Sequence, residues 1–250
     1  MKCLILAAGY ATRLYPLTEN FPKPLLKVGG KTILDWLIDD IGDSADGFVV
    51  ISNHKFAGFF REWAQTRPES ITVVDDGTES NETRLGAVRD MQFAVEQLSI
   101  DDDCLVIAGD NLLDFSLRRF IDFAKRKGTS CSMRYRETDG QKLHKCGVSE
   151  IGEDDRLIGL EEKPAKPRSD WATPPFYYYV AADMKKLGKA IADGCGVDAP
   201  GSLVAWMCRD SVMHSMEMPG RRYDIGNLES YRSVCETYRG FDMKEQVSHE

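Results

Sequence analysis

Behind an apolar run at the start of the chain stand Gly9, Tyr10, Ala11, Thr12 and Arg13, and ten residues past Arg13 comes Lys23, in Pro22-Lys23-Pro24. Gly9, Ala11 and Thr12 are small enough to let backbone amides approach phosphate oxygens, while Arg13 and Lys23 offer mobile positive charge to a polyphosphate. Two familiar phosphate loops do not fit: a Walker A loop needs GxxxxGK before Ser or Thr, and a dinucleotide fingerprint needs GxGxxG. A surface loop with merely solvated cations is the other reading. About fifteen residues without secondary structure are, however, uncommon between a strand and a helix unless they bind something. Asp110, in Ala108-Gly109-Asp110-Asn111, places a carboxylate behind another apolar run. It suits Mg2+, which takes one or two carboxylates together with substrate phosphates. Asp224, in Arg222-Tyr223-Asp224-Ile225-Gly226, reads either as a second ligand or as a turn aspartate ahead of the last helix.

The elements that must hold these groups follow from periodicity. Short apolar or β-branched runs at 3–8, 48–52, 71–74 and 104–108 have the character of buried strands. Between them, 33–41 repeats its apolar residues at helical spacing and stops at Gly42, and 56–65 and 85–98 fill the next two gaps. The resulting βαβαβαβ order predicts a parallel sheet with crossover helices, whose ligands gather at the carboxyl ends of the strands. Beyond Asp110 the pattern predicts a helix at 117–127, short strands at 129–136, 147–151, 157–161 and 176–181, and helices at 183–193, 202–208 and 227–239. The Pro-containing stretch 164–175 is a loop. No repeat of ~20 to 50 residues is visible, which removes solenoids and propellers. The chain is read as a single domain over 1–250, with a nucleotide half at 1–112, an acceptor half at 113–240 and a polar tail at 241–250.

Composition narrows the partners. A formal charge of −8 over 250 residues opposes a general grip on nucleic acid, so any phosphate site must be local. No stretch approaches the ~18 apolar residues of a membrane span, and the apolar start is too short for a signal peptide. The seven cysteines form no close CxxC pair and match no zinc spacing, as expected of reduced thiols in the cytoplasm. The four histidines are scattered away from any Ser or Cys elbow, which leaves no nucleophilic triad.

Leu6-Ala7-Ala8-Gly9-Tyr10-Ala11-Thr12-Arg13-Leu14, Pro16-Leu17-Thr18 and Pro22-Lys23-Pro24-Leu25-Leu26 together resemble the signature of the sugar-phosphate nucleotidylyltransferases, the nucleotide-sugar pyrophosphorylases such as glucose-1-phosphate thymidylyltransferase. The resemblance implies a Rossmann-like three-layer αβα sandwich around a mostly parallel mixed central sheet. It implies that Leu6, Ala8, Gly9, Tyr10, Ala11, Thr12, Arg13, Lys23 and Asp110 bind the nucleotide, joined by Thr83 and Gly86 in the segment that faces the base. It also implies that Asp110 and Asp224 hold Mg2+ and that Gly147, Glu162 and Lys163 form the sugar-phosphate pocket. Within Leu160-Glu161-Glu162-Lys163-Pro164, Glu162 would accept hydrogen bonds from sugar hydroxyls and Lys163 would meet the acceptor phosphate. Tyr177 is placed with that pocket, although an aromatic run such as 177–179 is more often core. The chain departs from the family form at Ala11, where glycine is common, at Arg84, at 173–177 and at Asp198-Ala199-Pro200-Gly201.

The activity implied is in-line attack of an acceptor phosphate on the α-phosphorus of a nucleoside triphosphate with release of pyrophosphate, Arg13, Lys23 and Lys163 supplying positive charge. A sugar 1-phosphate is the expected acceptor. A phosphorylated alcohol or amino-acid derivative stays open, as do a regulatory binding protein, homo-oligomerisation, and the identities of base and sugar. The chain ends soon after Asp224 and is read as a minimal catalytic unit.

Overall fold

A computed structural model describes residues 1–241, so the expected polar tail lies outside the described residues from 242 onward. The first half runs through β1 (Lys2–Leu6), β2 (Lys27–Val28), β3 (Lys31–Thr32), α1 (Ile33–Ile41), β4 (Phe48–Ser52), α2 (His54–Ala64), β5 (Ile71–Asp75), α3 (Ala87–Gln97) and β6 (Cys104–Ala108). The second continues with β7 (Asn111–Leu113), α4 (Arg118–Lys127), β8 (Ser130–Arg136), α5 (Gly140–Leu143), β9 (Gly147–Ile151), β10 (Arg156–Glu162), β11 (Trp171–Thr173) and β12 (Phe176–Tyr179). Then follow α6 (Ala181–Met184), α7 (Leu187–Ala192), α8 (Gly201–Asp210), β13 (Met213–Glu217), β14 (Arg222–Asp224) and α9 (Leu228–Thr237).

Local chemistry explains the boundaries that matter. Thr32 and Asp35 form a reciprocal capping box at the start of α1, which ends where Gly42 takes φ +48°. Asn53 caps α2 by accepting from the Phe56 amide. The start of α3 is set by Gly86 at φ +91°, two residues inside the predicted span.

Ten strands form one mixed sheet in the order β11-β9-β10-β13-β8-β12-β6-β1-β4-β5. The ladders β6-β1, β1-β4 and β4-β5 are parallel, and β12 joins β6 antiparallel, which ties the two halves of the chain into the same sheet. Side chains of successive strand residues point to opposite faces. Accordingly Cys3 and Ile5 of β1 enter one apolar cluster with α1, α2 and α4, while Leu4 enters another with α3, α7 and α8. Helix, sheet, helix is the three-layer sandwich that the resemblance implies. Among the described residues no helix is long and apolar enough to cross a membrane.

Three departures from the pattern bear on function. The loop after β1 is not structureless, since it holds two single 3₁₀ turns, Thr12–Leu14 and Lys23–Leu25, and the β2–β3 hairpin. The helix predicted at 183–193 is two short helices, α6 and α7, and the strand predicted over 176–181 stops at Tyr179. Finally, β7 and β14 make a separate two-stranded sheet that the periodicity did not announce.

Candidate active site

The carboxyl ends of β1 and β6 open on a cleft of about 260 Å³ lined by Leu6, Gly9, Ala11, Arg13, Lys23 and Asp110, among others. Its floor is fastened from several sides. The Ala8 carbonyl accepts from Asn53 Nδ2 at 2.9 Å, the Ala11 carbonyl from Thr18 Oγ1 at 2.8 Å, and the Tyr10 hydroxyl donates to the Thr78 carbonyl at 3.1 Å. Asn53 thus both caps α2 and braces the loop. Among the described residues, the backbone amides of residues 9–13 have no hydrogen-bond partner. Such a run of free N–H groups is an anion-binding feature, because buried or clustered donors demand an acceptor. A Cβ at Gly9 would meet nothing within 4 Å, so the protein itself does not require glycine there and a closely approaching ligand would.

Ala11 occupies the left-handed region at φ 47°, ψ 40°, the conformation for which the family's usual glycine is suited. Arg13 is exposed, lines the cleft and has no ion-pair partner among the described residues. Lys23 is different. Its side chain is 8% exposed and its Nζ donates to Asp110 Oδ2 at 2.7 Å. Gly109 makes that meeting feasible, since a Cβ there would stand 3.3 Å from Pro24 Cγ and 3.1 Å from Ile5 Cγ2.

The β7–β14 ladder pairs Asn111 with Asp224, which sets Asp224 one residue from Asp110 across the strands. Asn111 Nδ2 donates to Asp110 Oδ1 at 2.6 Å, and Arg222 Nη1 donates to Asn111 Oδ1 at 2.7 Å while lying 3.9 Å from Asp224 Oδ1. The register thus brings the two predicted metal aspartates to the same end of the two strands, Asp110 lining the cleft and Asp224 a larger hollow beside it. Both oxygens of Asp110 are engaged, by Lys23 and Asn111, whereas Asp224 is 55% exposed. Asp110, at the cleft, supplies hard oxygens of the kind that hold Mg2+ together with phosphate and water, and Asp224, at the adjoining hollow, is a second such carboxylate.

A second constellation forms around Glu162. Gly147 of β9 pairs with Glu162 of β10 and with Thr173 of β11. The Gly201 amide, at the start of α8, donates to Glu162, and a Cβ at Gly201 would overlap Glu162 Oε1. Burial raises the Glu162 carboxyl above its ordinary value, while Lys163 and the Gly201 amide pull the other way. Lys163 sits at φ +48° with its amide bonded to the Cys146 carbonyl at 2.9 Å. A lysine in that region is unusual and belongs with functional turns.

Several predicted site residues take other places. The Tyr10 ring is buried against Phe56, and Tyr10 does not line the cleft. Ala8 and Thr12 do not line the cavity. Tyr177 is 2% exposed with its ring in the core, and the strongly raised phenol is held neutral by burial; its hydroxyl alone comes near Gly201, so stacking on a sugar is excluded. Thr83 is in an exposed turn bonded to Ser80. Gly86 is needed for packing, because a Cβ would lie 2.6 Å from the Val197 carbonyl oxygen. The first amides of α3 are taken: Ala87 donates to Asp198 O at 3.2 Å and Val88 to Val197 O at 3.0 Å. Sequence reasoning missed Gly201, Asn53 and Asn111. Only Gly201 had a signal, its place in a segment that departs from the family form.

The family model described as nucleotidyl transferase matches residues 2–240. A glucose-1-phosphate thymidylyltransferase of Streptomyces antibioticus is 31% identical over 256 residues, covering 94% of this chain and 67% of that one. The bifunctional protein GlmU of Methanococcus maripaludis is 30% identical over 232 residues, covering 91% of this chain and 52% of that one. The chain thus spans between half and two thirds of the length of these relatives. A UDP-glucose pyrophosphorylase solved with UDP-glucose superposes with a TM-score of 0.80 at 17% identity, over 95% of this chain and 97% of that one, which is a likeness of fold.

Proposed function

The chain belongs to the nucleotidyl transferase family, and on that premise we propose that it transfers a nucleoside monophosphate from a nucleoside triphosphate to a sugar 1-phosphate, giving a nucleoside diphosphate sugar and pyrophosphate. The observation that carries the reading is the run of unpartnered amides at residues 9–13 beside Arg13, Lys23 and Asp110 in one cleft. The amides and Arg13 bind the β- and γ-phosphates, and Lys23, held by Asp110, meets the α-phosphate as charge develops on it. An oxygen of the acceptor phosphate forms the new bond to the α-phosphorus as the bond to the bridging oxygen of pyrophosphate breaks. Lys163 neutralises the acceptor phosphate. Asp110 and Asp224 would hold Mg2+, which when bound would offset negative charge on the phosphates.

A sugar as acceptor is supported by the Gly147–Glu162–Gly201 arrangement, where one carboxylate oxygen lies between two residues without side chains and can accept from hydroxyls. Seven unpaired cysteines agree with a cytoplasmic setting, and the continuous sheet with a single unit over 1–241. The test is pyrophosphate release from nucleoside triphosphates mixed with Mg2+ and sugar 1-phosphates. Asp110→Asn should lower turnover at least ~100-fold while leaving the fold intact. Near-normal activity of that variant would remove Asp110 from the reaction, and a silent panel with the wild-type chain would remove the activity.

A further inference from the structure

The transfer cleft opens into a second, larger basin of about 1050 Å³ that shares Arg13 and Gly226 with it. Six basic residues line the basin: Arg13, Arg136, Lys142, Lys145, Arg221 and Arg222. Glu137, Glu217 and Asp224 are its acidic residues, so six cations face three anions, an excess of three. The whole chain is charged the other way, at −8. A positive hollow on an acidic protein concentrates anions locally.

Not all of those cations are free. Arg136 is paired with Asp170 and lies 3.7 Å from the Trp171 ring centroid, and Arg222 holds Asn111. Lys142, Lys145 and the Arg221 guanidinium have no side-chain partner among the described residues. Lys142 and Lys145 flank the end of α5, a helix tied down by Asp139 capping the Gln141 amide at 2.9 Å. Cys146, which also lines the basin, has its carbonyl bonded to the Lys163 amide and precedes Gly147 of the sugar pocket. The basin therefore runs from Asp224 to the threshold of the acceptor pocket.

The reacting phosphate of an acceptor is already served by Lys163. We propose that the acceptor bears a second anionic group, received in this basin by Lys142, Lys145 and Arg221. The group is a carboxylate or a further phosphate, both of which form charge-assisted hydrogen bonds with ammonium and guanidinium donors. This inference rests on the nucleotidyl-transfer reading of the same site. It deepens that reading by choosing the class of sugar phosphate.

The experiment measures pyrophosphate release by the full chain and by Lys142→Ala/Lys145→Ala with one nucleoside triphosphate and three acceptors. They are a neutral hexose 1-phosphate, the corresponding uronic acid 1-phosphate and the hexose 1,6-bisphosphate. The wild-type chain should favour at least one anionic acceptor over the neutral one by roughly tenfold in kcat/KM, about one hydrogen bond to a charged group. The double variant should lose that preference while keeping its rate on the neutral acceptor. Preference for the uronic acid assigns a carboxylate, and preference for the bisphosphate assigns a phosphate. Equal or better use of the neutral acceptor by the wild type overturns the inference and leaves nucleotidyl transfer standing. An equal loss on all acceptors in the variant overturns it as well, and no pyrophosphate from any acceptor overturns both.

Discussion

Asp90→Asn should raise the stability of the fold at pH 8 and raise it less than half as much at pH 5. Asp90 lies on the inner face of α3, 6% exposed, facing Asp76 just beyond β5, itself 9% exposed. Asp76 Oδ1 accepts from the Thr78 amide and hydroxyl, both at 2.7 Å, but Asp76 Oδ2 and Asp90 Oδ1 are buried without any donor other than a proton shared between the two carboxyls. The remaining nearby acid, Asp75, is occupied with His54 and Arg61. Burial first, and then the Asp76 charge, push the Asp90 carboxyl up to about 7 from the usual 3.8. The native state therefore binds more protons than the unfolded chain between these two values. Stability contributed by the protonated pair is complete below ~4 and is lost progressively as pH rises to ~7.

The full gap amounts to about 4 kcal/mol, an upper figure for a pair that shares one proton. Asparagine keeps the shape and donates an N–H to Asp76 at every pH, which removes the loss. In a chain of this size that corresponds to a melting-temperature gain of ~10 °C at pH 8, and to less than half of that at pH 5, where part of the loss has already occurred. Urea unfolding of both proteins at the two pH values measures it, and the difference between them cancels every other titration. An equal effect at both pH values, or a variant less stable at pH 8, would show that the two carboxyls do not share a proton.

Ala11→Gly relieves a left-handed alanine, which costs ~1–2 kcal/mol, against ~0.5–1 kcal/mol of added chain entropy. The net gain should be within about 1 kcal/mol, read as a small rise in melting temperature, and a fall would mean that Ala11 is not strained at φ 47°. Gly201→Ala puts a methyl group onto Glu162 Oε1 and near the Tyr177 hydroxyl. It should reduce kcat/KM for the acceptor by roughly 100-fold through displacement of Glu162, with the nucleotide KM unchanged. Equal loss for both substrates would place Glu162 outside the acceptor pocket.

Much of the frame was legible because single residues carried clear physical signals. Phe48 to Ile51 is apolar throughout and lies buried on both faces, and Ile33, Leu34, Leu37, Ile38 and Ile41 recur on one helical face and are buried there. Gly9, Arg13, Lys23 and Asp110 were picked out by type and by position at the ends of β1 and β6, and they line one cleft. What stayed hidden was pairing across the chain. Three-residue strands such as β7 and β14 carry no periodicity, so the register that sets Asn111 opposite Asp224 could not be read from them. Tyr10 and Tyr177 misled because a residue in a motif can serve through its backbone while its ring fills the core. The Asp76–Asp90 pair was invisible for a simpler reason, since aspartates fourteen positions apart look solvated until a fold buries both.

The two departures at Arg84 and Asp198 show how such pairings change meaning. As separate residues they weaken the match to the family; in the structure Arg84 Nε meets Asp198 Oδ1 at 2.9 Å. With 44% and 64% exposure the ion pair itself contributes at most about 1 kcal/mol. The greater effect comes from the backbone beside it, where the Val197 and Asp198 carbonyls receive the first amides of α3 at the glycine that permits the approach. Three residues further on, Gly201 holds Glu162. One short segment thus fixes the opening of α3 at one end and the carboxylate of the acceptor pocket at the other. A substrate that shifts residues 84–88 must move Glu162 too unless 199–200 absorb the change, and Pro200, with its fixed φ, leaves little freedom to do so. Two sites that the chain separates by more than seventy residues are joined through five.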